Sequence, residues 1–281
     1  MENSNNNPLS KYFRQPAIYL RLPSDGKYWS TEALDMPINR ELPVYPLTTK
    51  DEIILRTPDA LLNGQGVVDV IQSCVPNILD GWQIPSVDVD AILIAIRIAT
   101  YGSKMDMETQ CPHCDHKNDH ELELQSALAS IKCPSFDKVT VNDLNIKLKP
   151  QAYFTANKEN SIDFAEQKMR AALEMSDVDP ALRASELAKS LERLIDISID
   201  TLTDSTDYIE LPDGTLVSNK EHIKDFYQNA ERAVIGELQN ELAKINLEGG
   251  IDPTKVACGD CKKEYTVPVL FDYSRFFGVG S

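Results

Sequence analysis

Up to Leu47 the apolar residues follow no helical period, and Pro16, Pro23, Pro37, Pro43 and Pro46 forbid a long helix there. Within this stretch Ala17–Trp29 alternates apolar and polar residues around Pro23-Ser24-Asp25-Gly26. That pattern predicts a hairpin or an extended arm, and an irregular strap packed on the core fits it equally well. From Thr49 the spacing turns helical. Thr49-Lys50-Asp51-Glu52 has the form of a capping box, in which hydroxyl and carboxylate satisfy amides at a helix start. Thr57-Pro58 opens a short helix that Gly64 stops, and Gly66–Val75 gives another, ended by Pro76. Ser86–Tyr101 is predicted as a helix with Asp88 and Asp90 near its positive end and Gly102 as its stop. Ile92, Leu93, Ile94, Ile96 and Ile98 carry apolar surface nearly all the way round it, the mark of a central buried helix.

The period then switches to two. His120–Leu124 and Asn145–Lys149 predict strands with one face buried, with Val139–Val141 as a third. A helical period returns from Asn160, over Ser161–Met175, Pro180–Thr203 and Lys220–Ile245, the last broken near Asn229. Between the last two helices, Tyr208–Val217 predicts a hairpin around Pro212-Asp213-Gly214, and Gly249-Gly250 ends the helical block. No repeat at solenoid spacing is visible.

The chain has 281 residues, enough for ~2 domains of about 150 residues or one domain with a large insertion. Apolar residues make up 42% and charged residues 26%, the make-up of a chain with a sizeable core rather than a disordered or fibrous one. Charge narrows the partners. With 44 acidic against 28 basic residues the net charge is −16, which repels phosphate backbones and anionic lipid, and no local basic patch offsets it. Neither nucleic acid nor membrane is therefore an expected partner. The longest apolar run, Ala91–Ile96, ends at Arg97, whereas a membrane span needs about 20 apolar residues. The opening MENSNNNPLSKYF has neither the charged nor the apolar region of a signal peptide.

Six cysteines remain, and in a reducing cytosol metal ligation or free thiols are expected over disulfides. Four of them form two matching turns. Cys111-Pro112-His113-Cys114 leads through polar residues into the HELEL strand, and Cys258-Gly259-Asp260-Cys261 leads through Lys262-Lys263 into Tyr265-Thr266-Val267. Each resembles a zinc knuckle, and two together supply the four thiolates of a closed, tetrahedral, structural Zn2+ site. The turns are far apart, with 143 residues between Cys114 and Cys258. Closing a loop of about 100 residues restricts the unfolded chain by roughly 5 kcal/mol. Zinc binding to such sites is worth about 10–16 kcal/mol, so the metal prevails. Lys104, Lys117, Lys262 and Lys263 lie near enough in sequence to offset the negative charge of a four-thiolate centre.

Rival readings are a thioredoxin-like pair, which lacks a βαβ setting, two metal-free dithiols, and a catalytic zinc with an open position. His113, His116 and His120 are candidate replacements for a sulfur but read better as turn residues. Cys74 and Cys133 read as small buried apolar residues, and His222 as a surface residue. No phosphate-cradling glycine loop, Gly-x-Ser-x-Gly elbow or His-Glu-x-x-His is present, so nothing in the sequence calls for an enzyme. Phe271, Tyr273, Phe276 and Phe277 near the C-terminus, and Tyr12, Phe13, Tyr19, Tyr28 and Trp29 near the N-terminus, suit docking or core filling equally.

The expected fold is α+β and predominantly helical, with a zinc-ribbon-like β element built from two distant CxxC knuckles and a large helical insertion. The segments are an N-terminal extended arm or hairpin (1–48), a helical unit (49–102), the first knuckle with strands (103–150), the helical insertion (151–250), and the second knuckle with the aromatic tail (251–281).

Several pieces in this order resemble the baseplate hub proteins of contractile-tailed bacteriophages related to the T-even phages, a group of hub subunits and hub-assembly factors. They are YLRLPSDGKYW; PVYPLTTKDEIILRTPDALLNGQGVVDVIQSCV; VDVDAILIAIRIATYG leading into CPHC; LPDGTLVSNKEHIKDFYQNA; and CGDC leading into LFDYSRFFG. The resemblance implies a non-catalytic virion or assembly protein, found in the tail baseplate and, during assembly, in the host cytoplasm. Its implied partners are other baseplate, hub and tail proteins, further copies of itself among them. Only Cys111, Cys114, Cys258 and Cys261 carry over as site residues. An assembly chaperone absent from the finished particle is the alternative, and a zinc-ribbon nucleic-acid module a weaker one.

Overall fold

The computed structural model describes residues 7–57, 64–175, 179–269 and 276–277. The helix expected between Pro58 and Gly64 lies outside them, as do Phe271 and Tyr273. Burial of the helix Ser86–Tyr101 (α3) organises the first half of the chain. Ala91, Ile92, Leu93, Ile94, Ala95 and Ile96 are all buried, as an unbroken apolar run on a helix requires. Around α3 pack Val67, Val68, Val70 and Ile71 of α2 (Gln65–Cys74), Leu55 of α1 (Thr49–Leu55), and Leu20, Leu22, Leu34, Leu42 and Val44 of the N-terminal strap. Cys74 is fully buried in this core, the small apolar role expected of it.

The strap is not a local hairpin. Strand β1 (Ile18–Leu20) pairs antiparallel with β2 (Leu42–Val44), not with residues just beyond the Pro-Ser-Asp-Gly turn. Asp25 and Gly26 both take positive φ, 52° and 76°, and steer the chain away from β1. The carboxylate of Asp88, fully buried in the first turn of α3, then accepts the Ser24 amide (2.9 Å), the Ser24 hydroxyl (2.5 Å) and the Trp29 indole N–H (2.7 Å). The capping box also differs, by one residue. Thr48, not Thr49, caps α1, and Asp51, not Glu52, closes the box by accepting the Thr48 amide at 2.8 Å. Asp51 wins because it is buried where Arg14 reaches it at 3.3 Å.

A second core lies on a four-stranded antiparallel sheet of β5 (Lys138–Val141), β6 (Leu144–Leu148), β7 (Thr206–Glu210) and β8 (Leu216–Val217), in that order. Val141, Ile146, Leu148 and Ile209 meet Ile199 and Leu202 of α6 (Pro180–Asp204), Ile223 and Tyr227 of α7 (Lys220–Asn229), and Leu238 and Leu242 of α8 (Arg232–Glu248). The expected break near Asn229 and the hairpin around Pro212-Asp213-Gly214 are both present. Helix α5 (Tyr153–Met175) begins eight residues earlier than the periodicity indicates. Tyr153 is buried against Trp82, ring centroids 5.8 Å apart, and its amide bonds the Ile84 carbonyl at 2.7 Å. Tertiary contact starts this helix.

Among the elements that escape the sequence reading are β3 (Lys104–Gln110) and the short α4 (Leu124–Ser130). β3 pairs with β4 (Lys117–Glu123) along its whole length, and α4 replaces the end of the HELEL strand. After α4 the chain leaves for the second core and returns to the same neck. Lys132 bridges Gly250, and the Asp252 amide bonds Ser130 Oγ at 3.3 Å. Gly249 fits there because a Cβ would lie 3.0 Å from Pro134 Cδ. The last hairpin, β9 (Thr254–Ala257) with β10 (Glu264–Val267), follows directly. Among the described residues no helix is long and apolar enough to cross a membrane.

Candidate metal centre

Each cysteine turn joins two antiparallel strands. Cys111 and Cys114 lie between β3 and β4, and Cys258 and Cys261 between β9 and β10. The two turns close by the same bonds. The Cys111 amide donates to the His116 carbonyl (2.9 Å) while the Asp115 amide donates to the Cys111 carbonyl (2.9 Å). In the second turn Cys258 donates to Lys263 (3.0 Å) and Lys262 donates to Cys258 (3.2 Å). The residue four past the first cysteine takes the left-handed conformation in both, Asp115 at φ 57° and Lys262 at φ 59°. Such a turn aims the first cysteine's sulfur and the next amides inward; the His113 amide lies 3.4 Å from Cys111 Sγ.

The hairpins face each other. Cys111 Sγ lies 3.8 Å from Cys261 Sγ, and Cys114 Sγ lies 3.6 Å from Cys258 Sγ. All four sulfurs fall within 4.8 Å of one another, and all four thiols are free. A regular tetrahedron with metal–sulfur bonds of about 2.3 Å has sulfur–sulfur edges of about 3.8 Å. The donor set therefore fits a tetrahedral, thiophilic divalent ion. Cys111 and Cys258 are buried, Cys261 is half-buried and Cys114 is exposed.

Electrostatics push the same way. Desolvation raises the Cys258 thiol, but the amides of Cys261 and Asp260 and the sulfurs of Cys114 and Cys261 outweigh it and bring it to about 6. For Cys114 the His116 amide favours the thiolate, yet desolvation and the sulfurs of Cys261, Cys258 and Cys111 push it up to about 12. The four sulfurs thus titrate together, and a first thiolate opposes the ionisation of its neighbours. A divalent cation removes that conflict, since each thiolate then faces a positive charge.

The histidines stand aside. Among the described residues the four cysteines form the one group of three or more that could hold a metal ion. His113 contributes its amide and His116 its carbonyl, while the His120 ring lies 3.3 Å from the Tyr265 hydroxyl. Three of the four lysines have partners of their own. Lys104 pairs with Glu121 at the far end of the β3–β4 hairpin (2.7 Å), Lys117 pairs with Glu108 (3.2 Å), and Lys262 donates to the Gly259 carbonyl. Acids on the facing strand hold the amines of Lys104 and Lys117, and only a paired register reveals that. The sequence reading also passes over Asn118, Thr109 and Tyr265, whose polar side chains meet behind the sulfurs. Alternation at Asn118 and Thr109 was the available signal, because both occupy inward positions on their strands.

At the other end of the chain's first core, Phe276 and Phe277 are buried beside α3, with rings 5.0 Å apart in an edge-to-face pair. Arg97 donates to the Phe276 carbonyl. These two aromatics fill the core. Tyr12, Phe13 and Tyr19 are exposed instead, whereas Tyr28 packs edge-on against Phe136 at 5.6 Å.

Two hairpins clasped at a four-sulfur centre, carried on a helical body, define a scaffold class in which a metal would fix distant segments. The family model described as T4 bacteriophage base plate protein matches residues 19–278, and the chain belongs to that family. It is a phage baseplate protein of structural type, which places it in the virion tail among other tail proteins. No curated protein and no solved structure gives a significant match.

Proposed function

We propose that this chain is a structural subunit of the hub region of a contractile-tail baseplate, held together by Zn2+ on Cys111, Cys114, Cys258 and Cys261. The two hairpins then form a zinc-ribbon-like element interrupted by a large helical insertion, and the five-segment division given above describes its organisation. The chain acts through contacts with other hub and tail proteins, further copies of itself among them, and occupies the host cytoplasm until tails assemble. It performs no catalysis. The observation that carries this reading is the convergence of four sulfurs from two cysteine turns 143 residues apart in sequence, in a chain of the baseplate family.

A zinc-bearing scaffold has a mechanical consequence. With the ion bound, the neck at Lys132 and Gly250 and the clasp at the cysteines hold both ends of the inserted body, so the surfaces offered to neighbours keep one relative placement. Cys258→Ser is expected to abolish zinc retention measured by elemental analysis and to increase hydrogen exchange across β9 and β10. Full zinc content in that variant would defeat the four-thiolate site. Quantitative mass spectrometry of purified virions separates subunit from chaperone: stoichiometric presence supports the subunit, and absence supports the assembly factor. A salt-sensitive gel shift with DNA would favour the nucleic-acid reading, against which the −16 charge argues.

A further inference from the structure

We propose that Asn118 and Tyr265 are positioning residues for the metal ligands: a hydrogen-bonded brace that sets the two cysteine turns at the spacing one ion requires. The proposal rests on the metal reading above. Asn118 is buried and bonds to both turns through one side chain. Its Oδ1 accepts the Gly259 amide at 2.8 Å, in the second turn, and its Nδ2 donates to the His116 carbonyl at 3.0 Å, in the first. The bonded groups sit next to the ligands. Gly259 directly follows Cys258, and the His116 carbonyl is also the acceptor for the Cys111 amide.

The same Nδ2 lies 3.1 Å from the Tyr265 hydroxyl, which in turn meets Thr109 Oγ1 at 2.7 Å and His120 Nε2 at 3.3 Å. Tyr265 stands on β10, whereas Thr109, Asn118 and His120 stand on β3 and β4. The phenol thus bolts one hairpin to the other from behind, and its ring packs with Cys111 and Cys258. Only an amide side chain combines an acceptor for Gly259 with two donors for the remaining partners. An alanine would leave the Gly259 amide, the His116 carbonyl and the phenol without this link.

Groups behind metal ligands that fix their orientation commonly change metal affinity by about 10–100-fold when removed. Here the effect has a specific route. With the brace intact, four sulfurs act as one preoriented donor set; without it, each turn holds its pair separately and the ion can leave one pair at a time.

The test uses the full-length chain loaded with Co2+, whose visible bands report tetrahedral sulfur coordination, and follows loss of the ion to excess EDTA. Asn118→Ala is expected to lose cobalt about 10–100-fold faster than the unaltered chain while reaching the same four-sulfur spectrum at saturation. Tyr265→Phe, which keeps the ring and removes only the hydroxyl, should accelerate loss by a smaller factor. Asn118→Asp keeps the acceptor for Gly259 and should fall between Asn118→Ala and the unaltered chain. Release at the unaltered rate from both Asn118→Ala and Tyr265→Phe overturns the brace, and if Asn118→Ala does not fold, Tyr265→Phe decides alone. A missing four-sulfur cobalt spectrum in the unaltered chain would instead defeat the metal reading itself.

Discussion

Replacing Asp88 probes how the N-terminal strap is fastened to the central helix. Its carboxylate is fully buried and accepts three donors, the Ser24 amide, the Ser24 hydroxyl and the Trp29 indole. A hydrogen bond to a charged acceptor is worth about 1.5–3 kcal/mol, so three represent a gross interaction well above the cost of any one. Against this stands the desolvation of a buried carboxylate, which Asp88→Ala relieves. A buried donor left without its acceptor costs about 1–3 kcal/mol, so Asp88→Ala, which abandons the Ser24 and Trp29 donors, should still be clearly destabilising. Asp88→Asn has nearly the same shape and carries no charge, but its NH2 group must face either the Ser24 amide or the Trp29 indole N–H, so its cost should be about 1–3 kcal/mol at neutral pH. The pH dependence has a definite sign. Desolvation raises the Asp88 pKa, and the hydrogen bonds from Ser24 and Trp29 offset this only in part. A carboxyl whose folded pKa exceeds its unfolded value stabilises fully below the unfolded value, about 3.9, and loses that contribution as pH rises through the folded one. The stability of Asp88→Asn relative to the unaltered chain should therefore improve as pH rises through that window. Urea titration followed by tryptophan fluorescence measures all three proteins, since Trp29 is a bonded partner. An Asp88→Ala variant within about 0.5 kcal/mol of the unaltered chain would show that Asp88 does not fasten the strap, because that is the range of an ordinary surface substitution.

Two further perturbations test other fastenings. Arg14 donates to the carbonyls of Pro46 (2.7 Å) and Ser73 (2.7 Å), to Ser73 Oγ (2.9 Å) and to Asp51 (3.3 Å). Arg14→Ala should cost about 1–3 kcal/mol locally, seen as faster hydrogen exchange around β1 and α1 with the four-stranded sheet unchanged. Phe276→Ala removes a buried ring beside Arg97. In a core that change costs about 3–5 kcal/mol, but a terminal segment can undock without global unfolding, so the effect should appear as faster proteolysis near the C-terminus with a small change in urea midpoint.

Much of the architecture was legible because strong local patterns agree with the tertiary outcome. The run Ala91–Ile96 is apolar on every side and is buried on every side. Asn219 and Asp179 cap α7 and α6 through their own side chains, and Gly214 sits in the turn at φ 84°. What escaped depends on contacts distant in sequence. β3 reads as KMDMETQ, too polar to announce a strand, and exists because β4 pairs with it through seven residues. Tyr153 begins α5 because Trp82 receives its ring, and Asp51 displaces Glu52 in the capping box because Arg14 approaches it. At the candidate site the four cysteines were visible from their spacing alone. Asn118 and Tyr265 were not, because a polar side chain that bridges two hairpins looks locally like any strand residue.

Native mass spectrometry of the full-length chain, purified without chelator, tests most directly whether one ion joins the two hairpins. A single zinc per chain is expected, with a mass showing that the ion has displaced thiol protons, and loss of that ion when either cysteine pair is replaced by serine. A metal-free chain that still assembles into tails would contradict it.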